Sequence, residues 1–418
     1  MLPKVTISRH SCSESTNLEN FQALVDEQIL TEIRELARKL AGLRVCHVNA
    51  TAAGGGVAEL LFRLVPIYRA LGLSVDWRII HGDAEFYRVT KSLHNALQGS
   101  AFAFSPEDQR EYLSHNELGG VELETDYDAY VVHDPQPAAL RAYMPQARGA
   151  WIWRCHIDSS GPNPQAWKFL KPYIERYEAA VFTLESFKPA DLRMRRVAFI
   201  PPAIDPYGTK NMELPPDLCR RVVADAGIDL TRPMMLQVSR FDPWKDPFGV
   251  LEAYRLVKRT KPGVQLAFVG AMAGDDPQGW DMLHALQEAA RDDDDVQILT
   301  NLTGVGSMEV NAFQRAADVI VQKSIREGFG LVVSEALWKG KPVVAGKAGG
   351  IPLQFPLGQE RFLVASVEEC AAQVAFLLDN PDAAAELGRA GRERVRREFL
   401  LPRLVRDELR LLAELTRA

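Results

Sequence analysis

Short apolar runs alternate with segments of helical periodicity through the first half of the chain. The apolar runs predict buried strands at 44–50, 74–82, 127–134, 150–158, 179–187 and 197–200. Helices are predicted between them, with apolar residues spaced three or four apart over 21–40 and similar patterns at 57–71 and 162–177. Because short strands alternating with helices form parallel sheets covered on both faces, we predict a doubly wound α/β domain.

The same alternation resumes after a proline-rich connection over 201–216. Strands are predicted at 234–239, 265–270, 296–299, 319–322 and 343–345, with helices at 248–259, 280–292, 308–317 and 332–339. From 366 to the end the pattern is helical, with breaks near Pro381 and Pro402. We therefore predict one domain over 1–205, a second over 216–400, and a helix over 401–418 that packs back on the first.

Composition is typical of a soluble globular protein and limits the classes of partner that the chain is expected to bind. It has 418 residues, 47% hydrophobic and 25% charged, with a formal net charge of -6. The negative balance argues against broad binding of nucleic acid or anionic membranes. Five scattered cysteines in no metal-binding spacing predict reduced, buried thiols. No signal peptide and no apolar run of ~18 residues is evident, so we predict a cytoplasmic protein.

A run of three glycines, Gly54, Gly55 and Gly56, separates the first strand from the helix that follows it. The dinucleotide fingerprint GxGxxG fails here because Glu59 stands where its third glycine belongs. Two interpretations stay open. The backbone amides at the helix start could face an anion such as phosphate, or the glycines could serve a tight turn with positive φ.

Two cations follow the first strand of the second half. Arg240 and Lys245 lie in a loop whose shape Trp244 and two prolines restrict. A diphosphate leaving group carries about two to three negative charges and gains more as the bond to it breaks, so fixed cations stabilise the transition state. The alternative is a pair of solvated surface cations beside a turn.

Two carboxylates bracket a second glycine loop. Glu327 precedes Gly328-Phe329-Gly330-Leu331, and Glu335 is predicted one turn inside the helix that begins near Leu331. Glycine lets backbone amides approach a phosphate at a helix start. A carboxylate at position 335 could accept both hydroxyls of a ribose, and one at 327 could accept hydroxyls of a sugar. Favourable interaction with the helix dipole is the alternative explanation.

Polar side chains also end the strands of the first half. His133 and Asp134 end one strand, and His156 and Asp158 end the next along the chain. Open α/β sheets bind their ligands at the carboxyl ends of strands. The intervening helical segment 85–99 is unusually rich in hydrogen-bonding side chains. Two doubly wound domains facing a central cleft, with a helical C-terminal segment, would have the GT-B architecture, which some epimerases and phosphorylases share.

The spacing of the two cations and two carboxylates resembles a known donor site. Arg240 and Lys245, followed by Glu327 and Glu335 eight positions apart, are similar to the signature of the retaining GT-B glycosyltransferases related to sucrose and glycogen synthases. Three further segments resemble trehalose glycosyltransferring synthases, and retaining trehalose phosphorylases as well: 47–59, 91–99 and 153–158. The resemblance covers nearly the whole chain from residue 44.

The resemblance implies a division of roles between an N-terminal acceptor-side domain and a C-terminal nucleotide-sugar donor domain. The implied donor-binding residues are Gly55, Gly56, Arg240, Lys245, Glu327, Gly328, Phe329, Gly330, Leu331 and Glu335. Catalytic roles are implied for His156, Glu327, Arg240 and Lys245. Candidates for the acceptor pocket are Glu85, Lys91, Asn95, Asp134 and Asp158. For His156 the alternative is a core histidine with satisfied hydrogen bonds.

The implied reaction transfers glucose from a nucleoside diphosphate glucose to free glucose, giving α,α-trehalose with retention. A trehalose phosphorylase is the nearest alternative; a silent sugar-nucleotide sensor and a nicotinamide oxidoreductase are disfavoured. The aspartate run 292–295 is predicted to be a solvated helix end, so we expect no metal and no required cofactor. Sequence leaves the nucleotide base, the dominant direction and the oligomeric state open, a homodimer being one option.

Overall fold

The computed structural model describes residues 1–7, 16–53, 55–272 and 277–416. The chain divides into two compact units, Met1–Ala203 with Leu401–Ala418, and Ile204–Leu400. The proline-rich residues 204–215 thus belong to the second unit. In the described part of the chain, no helix has the length and apolar character needed to cross a lipid bilayer.

The first unit is built on a six-stranded parallel sheet with the order β2-β1-β3-β4-β5-β6. Its strands are β1 Arg44–Asn49, β2 Ser74–Ile79, β3 Ala129–His133, β4 Ala150–Arg154, β5 Ala179–Phe182 and β6 Arg196–Phe199. Its first helices are α1 Glu27–Lys39, α2 Gly56–Ala70, α3 Ala84–Leu97, α4 Pro106–Glu122 and α5 Pro164–Ile174. Short 3₁₀ turns occupy Leu18–Phe21, Leu140–Tyr143 and Glu185–Phe187.

Buried aromatic side chains fill the core of this unit. Trp77, Trp151 and Trp153 are at most 1% exposed, and Tyr130 stacks on Trp151 with ring centroids 4.2 Å apart. Every residue of β3 is buried, which explains the unbroken apolar run in its sequence. The predicted strands 74–82, 150–158 and 179–187 were too long: the strands end at Ile79, Arg154 and Phe182, and apolar residues continue into the loops that follow.

The second unit repeats the architecture with the strand order β12-β11-β10-β7-β8-β9, again parallel. Its strands are β7 Met234–Val238, β8 Gln265–Gly270, β9 Val296–Thr300, β10 Val319–Gln322, β11 Val343–Gly346 and β12 Leu363–Val364. Its helices are α6 Pro216–Asp225, α7 Pro247–Thr260, α8 Pro277–Ala290, α9 Ser307–Ala316, α10 Leu331–Trp338, α11 Ile351–Gln354, α12 Val367–Asp379 and α13 Pro381–Glu398. Turns of 3₁₀ helix lie at Pro243–Lys245, Asn301–Thr303 and Glu360–Phe362.

The last helix, α14 Leu401–Thr416, belongs to the first unit. Arg410 on α14 donates to Glu32 of α1 at 2.6 Å. Arg403 donates to the backbone oxygens of Pro201 and Pro202 at 2.7 and 2.9 Å, and this guanidinium is almost fully buried. These bonds anchor the end of the chain to the unit in which it began.

The aspartate run lies in a turn between α8 and β9. Lys258 of α7 pairs with Asp293 and Asp295 at 2.5 and 2.9 Å, and Arg232 pairs with Asp295 at 2.7 Å. Asp292 is almost fully exposed. These carboxylates therefore bind lysine and arginine side chains and hold the turn against α7.

Candidate functional site

The loop after β7 has a conformation set by its own aspartates. Asp242 accepts a hydrogen bond from the Trp244 amide at 2.8 Å. Asp246 adopts the left-handed conformation (φ 50°) and caps α7 by accepting from the Gly249 amide at 3.1 Å. Lys323 also pairs with Asp246. Arg240, two residues beyond the strand, is exposed.

Lys245 in this loop and Glu327 after β10 form a close ion pair. Lys245 Nζ lies 2.5 Å from Glu327 Oε2, and the two side chains are 22% and 11% exposed. Gln237 donates to the backbone oxygen of Lys245 at 2.8 Å, and Ser324 Oγ donates to Glu327 at 3.3 Å. The structure thus brings together two predicted site residues 82 positions apart in the chain, one at each of two neighbouring strand ends.

Helix α10 begins without a side-chain cap. Its N-cap is Gly330 in the left-handed conformation (φ 83°), and no side chain accepts from the first turn. Hydrogen bonds to its backbone oxygens hold the preceding loop in place. Gly350 N–H donates to the Gly328 oxygen at 3.1 Å, and the Gln354 amide donates to the Phe329 oxygen at 2.5 Å. Among the described residues, none accepts from the backbone N–H groups of 329–331, which leaves donors suited to an anion.

Glu335 lies one turn into α10, as the sequence predicts, and it is 5% exposed. Within the described part of the chain its carboxylate makes no hydrogen bond and no ion pair. Lys339 approaches only its backbone, donating to the Glu335 oxygen at 3.1 Å and to Asn211 Oδ1 at 3.0 Å. Burial lowers the pKa of Lys339 to about 7, and the nearby Glu335 charge partly opposes this. A carboxylate on a largely buried side chain that makes no hydrogen bond with another described residue indicates a ligand-binding role.

In the first unit, the loop from β1 to α2 has a comparable helix start. Gly55 has a φ of 82° and precedes α2, which begins at Gly56 with no side-chain cap. The positive φ expected from one of the two open interpretations, a tight turn, is therefore found at Gly55, while Gly54 lies outside the described residues. Asn49 fixes the loop, accepting from the Trp77 indole and donating to the Thr51 oxygen, both at 2.7 Å.

Asp134 and His156 lie side by side at the ends of β3 and β4. Asp134 Oδ1 accepts from the backbone N–H of His156 at 2.8 Å. Asp134 itself has a φ of 63°, a conformation rare for residues other than glycine. Burial raises the pKa of the Asp134 carboxyl to about 7, although the hydrogen bond from His156 and the charge of Arg154 oppose the shift. Such perturbation is typical of functional carboxylates.

A line of three histidines was not predicted from the sequence. His47 Nδ1 lies 3.0 Å from His133 Nε2, and His133 Nδ1 lies 2.9 Å from His156 Nε2. His47 and His133 are each 2% exposed. Burial lowers the pKa of all three imidazoles, to about 3 for His47. The signal was present, since these histidines stand on or just after three strands of the predicted sheet.

A buried ion pair that includes Arg154 was also missed. Arg154 of β4 pairs with Glu408 of α14, and Tyr68 of α2 donates to the same carboxylate. Burial lowers the pKa of the Arg154 guanidinium to about 10. No local pattern could have revealed a pair whose members are 254 positions apart.

The predicted acceptor residues divide into two groups. Lys91 and Asn95 lie one turn apart on one face of α3, and neither side chain hydrogen-bonds with another described residue. Asp158 is buried and accepts from the Ser160 amide at 3.0 Å. Glu85 differs, because its exposed carboxylate pairs with Arg88 at 2.6 Å. Its environment is that of a surface ion pair.

One group among the described residues could supply ligands to a metal: Asp83, Glu111 and His115, whose ligand atoms lie within 4.8 Å of one another. His115 donates from Nδ1 to the His81 oxygen at 3.0 Å and turns Nε2 toward Glu111. Asp83 is 66% exposed, so we assign no metal to this group. The predicted absence of a metal stays a prediction. Four cysteines are free and buried as predicted, and Cys12 lies outside the described residues.

The fold matches solved structures of sugar-transferring enzymes. Sucrose-phosphate synthase from Thermosynechococcus elongatus superposes with a TM-score of 0.69 over 89% of this chain and 99% of that one, at 17% identity. Residues 221–394 match the family "Glycosyl transferases group 1". The protein is therefore a glycosyltransferase with the predicted GT-B fold.

Relatives of similar length assign the chain to a narrower family. A trehalose synthase of Rubrobacter xylanophilus is 49% identical over 95% of this chain and 97% of its own length. A trehalose synthase of Pyrococcus horikoshii is 44% identical over 96% and 97%. Residues 47–189 match the family "Trehalose synthase, N-terminal domain". The chain belongs to the trehalose synthase family. A trehalose phosphorylase of Pleurotus pulmonarius is more distant, 27% identical over 83% of this chain and 54% of its own length.

Proposed function

We propose that this enzyme transfers glucose from a nucleoside diphosphate glucose to free glucose and forms α,α-trehalose with retention of configuration. The observation that carries the proposal is Glu335. Its carboxylate is buried in the first turns of α10 and has no hydrogen-bonding partner among the described residues. A ribose offers two adjacent hydroxyls to such a group, whereas inorganic phosphate would be repelled by it.

The diphosphate would bind at the start of the same helix. The open N–H groups of 329–331 would donate to phosphate oxygens, and Arg240 and Lys245 would add positive charge. Lys245 is already held by Gln237 and Glu327, so little reorganisation is needed when negative charge develops on the leaving group. Gly55 and Gly56, which begin an uncapped helix in the other unit, are proposed as further amide donors to the diphosphate.

Glu327 would bind the glucose that is transferred. Its Oε2 accepts from Lys245 and Ser324, and a carboxylate has further lone pairs to accept sugar hydroxyls. Because Lys245 pairs with Glu327, the sugar and the phosphate would be positioned by two groups in mutual contact. Loss of either side chain is then expected to disturb both parts of the donor.

The first unit would supply the acceptor groups. The side chains of Lys91 and Asn95 make no hydrogen bond with another described residue, while Asp134 and Asp158 provide buried carboxyl groups. His156, the histidine next to Asp134, would contact the reacting sugar. We leave Glu85 out of this proposal because Arg88 already pairs with it.

For the chemical step we propose front-side transfer. The bond from the sugar to the leaving phosphate breaks, an oxocarbenium-like centre develops, and the acceptor hydroxyl attacks the same face. The departing phosphate oxygen takes the hydroxyl proton. Retention by double displacement would instead require a carboxylate nucleophile about 5 Å from an acid/base partner. No metal is included in the reaction, so addition of a chelator is expected to leave the rate unchanged.

A substrate comparison tests the proposal. The protein is incubated with glucose and either a panel of nucleoside diphosphate glucoses or glucose 1-phosphate, and trehalose is quantified by chromatography. We expect trehalose from at least one nucleotide sugar, with release of the nucleoside diphosphate. Trehalose formed only from glucose 1-phosphate would show a phosphorylase and overturn the proposal. A covalent glycosyl-enzyme trapped with a fluorinated donor would overturn the front-side mechanism alone.

A further inference from the structure

Three histidines on neighbouring strands form a continuous hydrogen-bonded line. His47 is on β1, His133 ends β3 and His156 follows β4, and β3 lies between β1 and β4 in the sheet. Their nitrogen–nitrogen distances are 3.0 and 2.9 Å. Adjacent rings lie nearly parallel, with interplanar angles of 24° and 19° and ring centroids 5.3 and 5.2 Å apart. The only ring nitrogen of His156 outside this line is Nδ1.

All three rings are expected to be neutral near pH 7. Burial lowers each pKa, and the charge of Arg154 lowers each further. A neutral imidazole has one N–H donor and one acceptor nitrogen. Two consecutive hydrogen bonds between such rings therefore have only two arrangements: all N–H groups point toward His156, or all point toward His47.

The buried end of the line distinguishes these arrangements. His47 Nε2 is buried and has no hydrogen-bond partner among the residues that the structure describes. If the N–H groups pointed toward His47, this nitrogen would carry a buried donor with no acceptor, which is costly and rare in proteins. The opposite arrangement leaves only an unused lone pair at His47 Nε2.

We propose that His47 and His133 are positioning residues that hold His156 in the neutral tautomer protonated at Nδ1, so that it presents an N–H donor to a bound ligand. His133 donates from Nδ1 to His156 Nε2, and His47 donates from Nδ1 to His133 Nε2. The ligand class is an oxygen acceptor, a sugar hydroxyl or a phosphate oxygen. That use of the N–H rests on the proposed function, whereas the tautomer does not.

The tautomer can be read directly from the whole protein. Long-range ¹H–¹⁵N NMR of the histidine-labelled protein distinguishes protonated from unprotonated ring nitrogens, and a His156→Gln spectrum assigns the signals. We expect His156 to show a protonated Nδ1 and an unprotonated Nε2 at pH 7. A His156 protonated at Nε2, or at both nitrogens, would overturn the proposal.

Two substitutions of the middle ring separate positioning from packing. His133→Leu removes the donor to His156, so we expect a mixture of His156 tautomers and about a 10-fold lower kcat/KM, the equivalent of one hydrogen bond of about 1.4 kcal/mol. In His133→Asn the side-chain amide N–H lies near the position of the imidazole Nδ1–H. We therefore expect this variant to restore the His156 tautomer and most of the activity. Equal tautomer ratios in the wild type and His133→Leu would refute the positioning role.

The control is His81, a partly exposed residue that pairs with Glu122 at 2.8 Å. His81→Leu should leave the His156 signals and kcat/KM unchanged, and a change in either would contradict a specific role for the line. Should the wild type show the expected tautomer but form no trehalose from any nucleotide sugar, the proposed function would fail and the tautomer assignment would stand.

Discussion

Replacement of Glu335 by glutamine should weaken donor binding without harming the fold. The substitution keeps the shape of the side chain and removes its charge. Hydrogen bonds to a charged group contribute about 1.5–3 kcal/mol and neutral ones about 0.5–1.5. Glutamine can still bind one of the two ribose hydroxyls, so we expect the substitution to cost about 2 kcal/mol of donor-binding free energy. That corresponds to a roughly 30-fold weaker interaction with the donor.

The loss should appear in KM rather than kcat. The ribose is remote from the bond that breaks, so its contacts stabilise the bound substrate and the transition state alike. We expect the KM for the nucleotide sugar to rise roughly 30-fold, with kcat within about twofold and the KM for glucose unchanged. Release of the nucleoside diphosphate, followed in a coupled spectrophotometric assay, measures all three.

The fold should tolerate the same substitution. The Glu335 side chain is 5% exposed and its carboxylate makes no hydrogen bond within the described structure, so the substitution breaks none. At pH 8 the neighbouring Lys339, with a pKa lowered to about 7, is mostly neutral and loses little attraction. The Tm of Glu335→Gln should be no lower than that of the wild type.

A matched control is Glu252→Gln, which removes the same charge from an exposed pair with Arg255 in the same unit. Its donor KM should equal that of the wild type. An unchanged donor KM in Glu335→Gln would refute the ribose assignment. A fall in kcat together with Tm would show instead that Glu335 is a structural residue.

Further substitutions in the second unit follow from the same geometry. Lys245→Met should lower kcat by about 10²–10³-fold because stabilisation of the leaving group is lost. The control is Lys261→Met, at an ion pair with an exposed aspartate, which should leave kcat unchanged. Equal kcat values for the two variants would exclude a catalytic role for Lys245. Gly330→Ala and Gly340→Ala should each cost about 1–2 kcal/mol in denaturant unfolding because both have positive φ. In Gly330→Ala the added Cβ lies 3.2 Å from two side-chain atoms, so this variant alone should also lose activity. Loss of activity in both glycine variants would argue against a local effect at Gly330. The pKa of Lys339 falls from 10.5 to about 7 on folding, so the unfolded chain binds the extra proton and stability should rise with pH over that range. Lys339→Met should remove this rise, and an unchanged pH profile would contradict the assignment.

The sequence predicted most of the fold because hydrophobic periodicity is local. Each predicted strand of the two sheets exists, and the helix that carries Glu335 begins at Leu331 as expected. Strand ends were less accurate. The loop after β4 continues the apolar pattern through Cys155 and Ile157, both buried in the core, so periodicity alone could not separate strand from loop.

Contacts between residues that are distant in the chain could not be predicted from the sequence. Lys245 and Glu327 were each singled out, yet their 2.5 Å ion pair depends on β7 and β10 being neighbours. The same holds for His47 and His133, which take part in one line only because β1 and β3 pair. Residue types reveal candidate groups, whereas strand order determines which of them meet.

Transfer of glucose from a nucleotide sugar to glucose is tested most directly by an NMR time course. The wild-type protein is incubated with unlabelled glucose and a nucleoside diphosphate glucose labelled with ¹³C at the anomeric carbon. We predict that the label appears in α,α-trehalose, with one equivalent of nucleoside diphosphate released for each trehalose formed. Label recovered only as free glucose, or in a disaccharide with a β-linkage at the labelled carbon, would contradict it.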